Sequence, residues 1–537
     1  MSGAARPLRL AGLLLLPLLL LNGLLTLVNP GPTPWPEPTA RIAPELCVAL
    51  LALALWTGWR RALPPWALQA LAGATTALVL LRGFEVTAAA LFGRPLHPYW
   101  DGRHLGQMLA MNGVAAWQLV AAATALLAAV ALLQLLVLAC WRALQQALAC
   151  APLRRGCALA SAALVAALAA QGLGRLDAHA VFAGAVTPVL ARQMQLVAAL
   201  LQADVSQARL TPSPAFDTDL AALRGADVLL LFSESYGVST LDRPEQARQL
   251  AAPRAALAQA IAASGRQVVS TRVRSPTFAG GSWLAHGALL SGVDTQDPLD
   301  YEVLLSTQRR TLVQHFGAHG WRTVAWMPGL QRAWPEGRFF GYDRTVDADG
   351  MGYAGLPFGP WRIPDQAAMA LLHAQELAAP GATRAPRFVV FPTVSSHVPF
   401  RPVAPFVADW DRLAGPAPYT REQHAHALDE PASLRDPVPG YVQSIAATWE
   451  WLGAYLGERA PPGLLVVLLG DHQAFAGVSG AGAPWDVPVH LISADTALLQ
   501  RFQAMGFSKG LAPHAPAIGG MHELTTLLLR GFAGAKP

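Results

Sequence analysis

The chain has 537 residues, 53% of them hydrophobic and only 14% charged, with a formal net charge of +5. That is too long for one ordinary domain and too apolar for a wholly water-exposed enzyme. A charge of +5 spread over this length does not mark a polyanion binder, so no nucleic-acid partner is expected.

The apolar excess lies before about residue 175. Residues 8–28, "LRLAGLLLLPLLLLNGLLTLV", match the roughly 20 apolar residues a bilayer span takes. No small-residue cleavage site precedes "NPGPTPWPEP", which separates the stretch from a signal peptide. Further spans are expected near 42–59, 63–82, 112–140 and 157–174, about five in all. Arg6 and Arg9 precede the first, Arg60 and Arg61 follow the second, and Arg142, Arg154 and Arg155 separate the fourth from the fifth. With five crossings these clusters share one side, the cytoplasmic one by the positive-inside rule, and everything after residue 176 lies outside. The four cysteines, Cys47, Cys140, Cys150 and Cys157, all lie in this half, so the second half uses neither disulfide nor thiolate metal site.

Residues 184–206 have helical apolar spacing and are expected either along the membrane surface or packed beneath the following domain. "LTPSPAFDTD" (210–219) reads as linker. The expected division is 1–176 membrane domain, 177–221 juxtamembrane helix and linker, and 222–537 catalytic domain.

From residue 222 strands alternate with helices. "DVLLLF", "RQVVSTRV", "RTVAWM", "RFVVFPTV", "GLLVVLLG" and "DVPVHLIS" read as strands. "PEQARQLAAPRAALAQAIAASG", "SWLAHGALLSG", "IPDQAAMALLHAQELA", "PGYVQSIAATWEWLGAYLGER" and "MHELTTLLLRGFAG" read as helices. Uninterrupted apolar strands between helices predict an α/β domain, a mostly parallel central sheet covered by helices on both faces. In such sheets ligands bind at the carboxyl ends of the strands.

Those ends offer Glu234 in "FSESYG", Asp471 and His472 in "GDHQ", His397 in "TVSSHVPF", and Ser282 in "SPTFAGGSWLAH". Oxygen and imidazole donors without thiols suit one divalent ion such as Mn²⁺, Zn²⁺ or Mg²⁺. Singly, each residue has a structural reading. Glu234 would be a helix-start carboxylate, Asp471–His472 a turn, His397 a loop residue and Ser282 a helix N-cap. Their joint occurrence at one sheet edge, in this order, is what points to a site.

This order of a Glu after strand one, a hydroxyl at a helix start about fifty residues on, a late His-x-Pro and a Gly-Asp-His resembles the alkaline phosphatase/sulfatase superfamily. It is most similar to the membrane branch of lipoteichoic acid synthases, phosphoglycerol transferases and phosphoethanolamine transferases. The resemblance implies an alkaline-phosphatase-like (sulfatase-like) catalytic domain behind five spans, on the outer face of a bacterial cytoplasmic membrane. It implies Glu234, Asp471, His472 and Ser282 as ligands of one metal ion, with a Ser or Thr nucleophile. His397 would touch the phosphate or leaving group. "WPEGRFFGYD" resembles a head-group-binding segment, placing Trp334 there with Arg338, or Arg332, as the displaced arginine.

Two hydroxyls compete as nucleophile. The branch's habitual threonine favours Thr277, whereas the ten-step spacing to "LLSG" and the helix start favour Ser282, which is preferred. His286 falls one turn later, either facing the substrate or packed in the core. The expected activity moves a phospholipid-derived head group, phosphoglycerol or phosphoethanolamine, to an envelope glycan or lipid. The alternatives are a sulfatase-like hydrolase and a non-catalytic envelope-assembly partner. "SWLAH" lacks the Pro and Arg that follow a sulfatase's maturing residue.

Overall fold

The structure is a computed structural model that describes residues 5–29, 35–60, 62–92, 116–176, 180–201, 210–331, 333–379, 383–433 and 435–534. The chain divides into two compact units, Met1–Ala203 and Asp204–Pro537.

The first unit is helical: α1 (Ala5–Leu25), α2 (Pro44–Arg60), α3 (Pro65–Phe92), α4 (Ala116–Leu148), α5 (Ala151–Gly172) and α6 (Thr187–Leu201). Each of the five expected spans is largely helical over its described residues, with shifted ends; the first stops at Leu25, and Leu27–Val28 pair antiparallel with Glu37–Pro38. Three of them, Pro65–Leu91, Trp117–Leu148 and Ala151–Gly172, are long and apolar enough to cross a membrane, while Gly12–Leu25 is shorter and α2 has 17 residues. The helices bury one stripe against each other, with Leu21, Leu50, Val137, Trp141 and Leu144 among the packed residues. The Trp141 indole donates to Thr75 Oγ1 at 3.1 Å, so the buried N–H is satisfied. Leu19, Leu127, Leu132 and Leu159 are exposed outward, as helices solvated by lipid require. At the α2–α3 turn, Trp59 and Trp66 are exposed and the Arg60 guanidinium lies 4.2 Å from the Trp59 ring centre, an arrangement suited to a membrane–water boundary. Of the expected 184–206 segment, α6 accounts for 187–201, and 202–206 lie outside the described residues.

The second unit is built on one eight-stranded sheet. Its strands are β1 (Val228–Ser233), β2 (Gln267–Arg274), β3 (Arg322–Trp326), β4 (Arg344–Val346), β5 (Arg387–Pro392), β6 (Leu465–Gly470), β7 (Asp486–Ser493) and β8 (Ser508–Lys509). Their order is β8-β2-β7-β6-β1-β5-β3-β4. The block from β6 to β4 is parallel. β7 is antiparallel to both neighbours, which returns β2 to the direction of the parallel block.

β1 and β6 are buried at every position, which is why they are continuous apolar runs rather than alternating ones. One face of the sheet carries α8 (Ser282–Ser291), α9 (Leu312–Ala318), α12 (Thr496–Ala504) and α13 (Met521–Phe532), packed through Leu284, Phe316, Phe502 and Leu528 onto Leu230, Phe232 and Val467. The other face carries α7 (Ala251–Ala263), α10 (Asp365–Leu372) and α11 (Val438–Glu458). There Trp451 of α11 stacks on Phe391 of β5, and the Trp326 indole of β3 donates to Ala368 O of α10. The predicted α/β domain with a mostly parallel sheet is therefore the observed one. Residues 210–219 form no regular element, but Leu210 and Phe216 are buried within this unit.

Register places the candidate residues. Ser233 at the end of β1 pairs with Gly470 at the end of β6, so Glu234 and Asp471 leave the sheet side by side. Phe232 pairs with Pro392, bringing the 393–397 loop to the same edge. A Cβ on Gly470 would lie 1.9 Å from the carbonyl oxygen of Tyr236, so only glycine lets the turn after β1 cross over β6.

Candidate active site

Glu234, Asp471 and His472 bring one ligand atom each to within 4.8 Å of one another. The surrounding bonds decide which atoms face inward. Asp471 Oδ1 accepts from the backbone N–H groups of Ser235 (2.8 Å) and His472 (2.7 Å), leaving Oδ2 free. Glu234 Oε1 accepts from the Ser235 hydroxyl at 2.8 Å, leaving Oε2. His472 Nδ1 lies 2.8 Å from Gln473 O, and since a carbonyl only accepts, Nδ1 carries the proton and Nε2 presents its lone pair to the cluster. That Nε2 is 3.5 Å from Glu234 Oε1 and 3.6 Å from Asp471 Oδ2.

Ser282 completes the group. Its Oγ lies 3.3 Å from Glu234 Oε2 and 3.3 Å from His472 Nε2. The N-cap reading fails here. Gly281 occupies the cap with φ 76°, and Ser282 is the first residue of α8 with its hydroxyl turned to the cluster. Ala279, Gly280 and Gly281 all have positive φ (57°, 130° and 76°), a sharp reversal that delivers Ser282 from the end of β2 to this point. A Cβ on Gly281 would lie 2.9 Å from Thr277 Oγ1.

Thr277, the competing hydroxyl, is buried and donates to Gly280 O at 2.6 Å, which ties it to the loop instead of the cluster. His397 is half-buried, its Nδ1 2.7 Å from Val398 O and its ring 4.4 Å from that of Trp361. His286 packs against Phe232 (4.3 Å between ring centres), and its Nε2 is buried without a hydrogen-bond partner. Trp334 and Arg338 line a cleft of about 400 Å³ with Tyr342 and Asp347, and none of the four clustered residues lines it. Arg332 lies outside the described residues.

The electrostatics follow from burial. Asp471 is pushed up to about 6, first by desolvation and then by the neighbouring Glu234 carboxylate. For His472, burial works against the charged form, but Asp471 and Glu234 prevail and its pKa is raised. His286 and His397 are each lowered to about 4 by burial, so both imidazoles are neutral near pH 7. Among the described residues no lysine or arginine pairs with Glu234 or Asp471, and the imidazole of His472 is the basic group beside them. Two buried carboxylates with free oxygens, an imidazole lone pair and a hydroxyl, converging without a balancing cation, are a donor set that fits a divalent metal ion.

Three participants escaped the sequence reading. Ser235 bonds both carboxylates, yet a serine beside Glu234 gives no sign of where its hydroxyl points. Trp361 flanks His397 from a turn thirty-six positions earlier, with no local signal. Asp365 accepts from the N–H groups of Val394 and Ser395 (2.8 and 2.9 Å) and so holds the His397 loop. Its "PD" at a helix start was a readable cue.

No family model and no curated protein matches this chain. Among solved structures it is similar to an alkaline phosphatase superfamily protein from Vibrio parahaemolyticus, at 12% identity over 58% of this chain and 67% of that one, with a TM-score of 0.38. It is also similar to the lipoteichoic acid synthase LtaP from Listeria monocytogenes, at 12% identity over 60% and 76%, TM-score 0.36. A third is the Streptococcus pyogenes phosphoglycerol transferase GacH in complex with sn-glycerol-1-phosphate, at 13% over 59% and 81%, TM-score 0.34. At these scores the likenesses decide nothing about chemistry, which rests on the geometry above.

Proposed function

We propose that this chain is a membrane-anchored, metal-dependent phosphotransferase that moves a phospholipid-derived head group, phosphoglycerol or phosphoethanolamine, to an envelope glycan or lipid. The observation that carries the reading is the Ser282 hydroxyl, first in its helix, 3.3 Å from both Glu234 and His472 at the carboxyl edge of the sheet. Glu234, Asp471, His472 and Ser282 would hold a divalent ion, Mn²⁺, Zn²⁺ or Mg²⁺. When bound, it would supply the charge that lowers the hydroxyl pKa and offsets charge on the phosphoryl oxygens.

Ser282 Oγ attacks phosphorus, the bond to the diacylglycerol oxygen breaks, and the whole head group remains on Ser282 as a phosphodiester, phosphoglycerol or phosphoethanolamine joined through its phosphorus to Oγ. The positive amino end of α8 favours both the alkoxide and the incoming phosphate. His397, neutral near pH 7, would contact the phosphate or the leaving group and move a proton on the departing and entering oxygens. An acceptor hydroxyl then attacks the phosphorus of that phosphodiester, takes the head group and returns a proton to the departing Ser282 oxygen. The apolar helices of the first unit keep the enzyme at the bilayer that contains the donor. We place the catalytic unit on the outer side of a bacterial cytoplasmic membrane, a reading that the arginine pattern of a five-span anchor supports.

The test uses the full chain in detergent with Mn²⁺ and fluorescent phosphatidylglycerol or phosphatidylethanolamine. Diacylglycerol release is expected from the parent and from Thr277→Ala, and is abolished in Ser282→Ala. Release that survives Ser282→Ala, or none from either lipid, refutes the proposal.

A further inference from the structure

Ser235 has a geometry that its position beside Glu234 does not require. It is 2% exposed and sits at φ 54°, a left-handed conformation that costs a non-glycine residue about 1–2 kcal/mol. Each of its polar groups is committed. The N–H donates to Asp471 Oδ1 (2.8 Å), the hydroxyl donates to Glu234 Oε1 (2.8 Å), and the carbonyl accepts from the buried Tyr441 hydroxyl (2.8 Å). The left-handed turn is what lets one residue aim its amide at one carboxylate and its hydroxyl at the other.

The bonds fix the orientation of both carboxylates. Asp471 gives Oδ1 to the Ser235 N–H and keeps Oδ2 3.6 Å from His472 Nε2, whereas Glu234 Oε1 is held by the Ser235 hydroxyl 3.5 Å from His472 Nε2, which turns Oε2 to Ser282 Oγ at 3.3 Å. Without the hydroxyl, Glu234 could rotate and offer either oxygen. Tyr441, on α11, fixes the turn from behind, and the Ser396 hydroxyl holds the Glu234 carbonyl at 2.6 Å. The pair of carboxylates is thus oriented by a residue that offers no ligand atom of its own.

We infer that Ser235 is the positioning residue of the metal site, selecting which oxygens of Glu234 and Asp471 face the ion and thereby setting its affinity for a divalent cation. The inference rests on the metal-site reading above. Outer partners of this kind change metal affinity by about 10- to 100-fold when removed. Ser235→Ala deletes the hydroxyl and keeps the side chain small. Ser235→Gly deletes the same hydroxyl while relieving the left-handed strain.

The experiment measures Mn²⁺ affinity of the full-length protein in detergent by equilibrium dialysis, without substrate, with Glu234→Ala as reference and thermal midpoints recorded alongside. Both Ser235 variants are expected to bind Mn²⁺ about 10- to 100-fold more weakly, and diacylglycerol release at low Mn²⁺ is expected to be rescued by raising the metal concentration. Parent-like affinity in Ser235→Gly overturns the inference, whatever happens to the thermal midpoint. Loss of binding in Glu234→Ala with retention in both Ser235 variants sinks this inference alone. Unchanged binding in Glu234→Ala sinks the metal site on which it rests.

Discussion

Replacing Gly281 with alanine tests why two glycines stand before Ser282. At φ 76°, alanine meets the left-handed penalty of about 1–2 kcal/mol. Its methyl carbon would also sit 2.9 Å from Thr277 Oγ1, closer than such contacts are tolerated. Thr277 cannot step aside freely, because its hydroxyl is held at 2.6 Å by Gly280 O, and breaking that bond costs about 1 kcal/mol. The total is about 2–3 kcal/mol if Thr277 gives way. If instead the start of α8 moves, less stability is lost but Ser282 shifts, and a displacement near 1 Å at a reacting atom costs about 100-fold in rate. Thermal unfolding and diacylglycerol release on the same preparations separate the two routes. Adding Thr277→Ala removes the contact but not the backbone strain, so the double variant should recover activity more than stability. Gly281→Ala with parent-like midpoint and rate would refute the account of this loop.

Two further outcomes are expected. Asp471, raised to about 6, and His472, also raised, bind more protons folded than unfolded. The contribution of these two groups to metal-free stability is therefore full in acid and is lost as pH rises through about 6, while metal binding strengthens over the same range because the ion displaces those protons. The gap between thermal midpoints with Mn²⁺ and with a chelator should widen from pH 5 to pH 8, and a constant gap would contradict this. Elsewhere, Arg384 donates twice to Asp227, both at 2.7 Å, where both side chains are buried and Asp227 also accepts from the N–H of Arg387. Arg384→Ala strands that carboxylate at the root of β1 and should cost about 3–5 kcal/mol, read as a lowered midpoint with Mn²⁺ affinity retained. A loss below about 1 kcal/mol would mean that water replaces the guanidinium.

The strands were legible because burial on both faces leaves a run of apolar residues that needs no partner to be recognised, as in "VLLLFS" and "LVVLLG". The membrane helices were legible for the same reason, since lipid solvation imposes composition along the whole element. Their ends were not, because the apolar stretch of α3 and α4 continues past the turns expected to stop it. Helix α9 was missed although Thr311 and Gln314 form a capping box there, a signal that can be read locally.

Strand direction was not written locally. Nothing in "DVPVHLIS" says that β7 runs against its neighbours between β6 and β2, because direction depends on how the chain returns to the sheet. At the site, the types and order of Glu234, Ser282, Asp471 and His472 came from the sequence, since a polar group following a buried strand must lie at its carboxyl end. Which hydroxyl enters the cluster, and which carboxylate oxygens stay open, depended on a Thr277 bond to a backbone carbonyl and on the turn of Ser235. Residue order determines which groups can reach the sheet edge. Only the register of β1 against β6 and the left-handed turns beside them decide which atoms meet, because hydrogen bonds and metal ligation are sensitive to tenths of an ångström that no local pattern encodes.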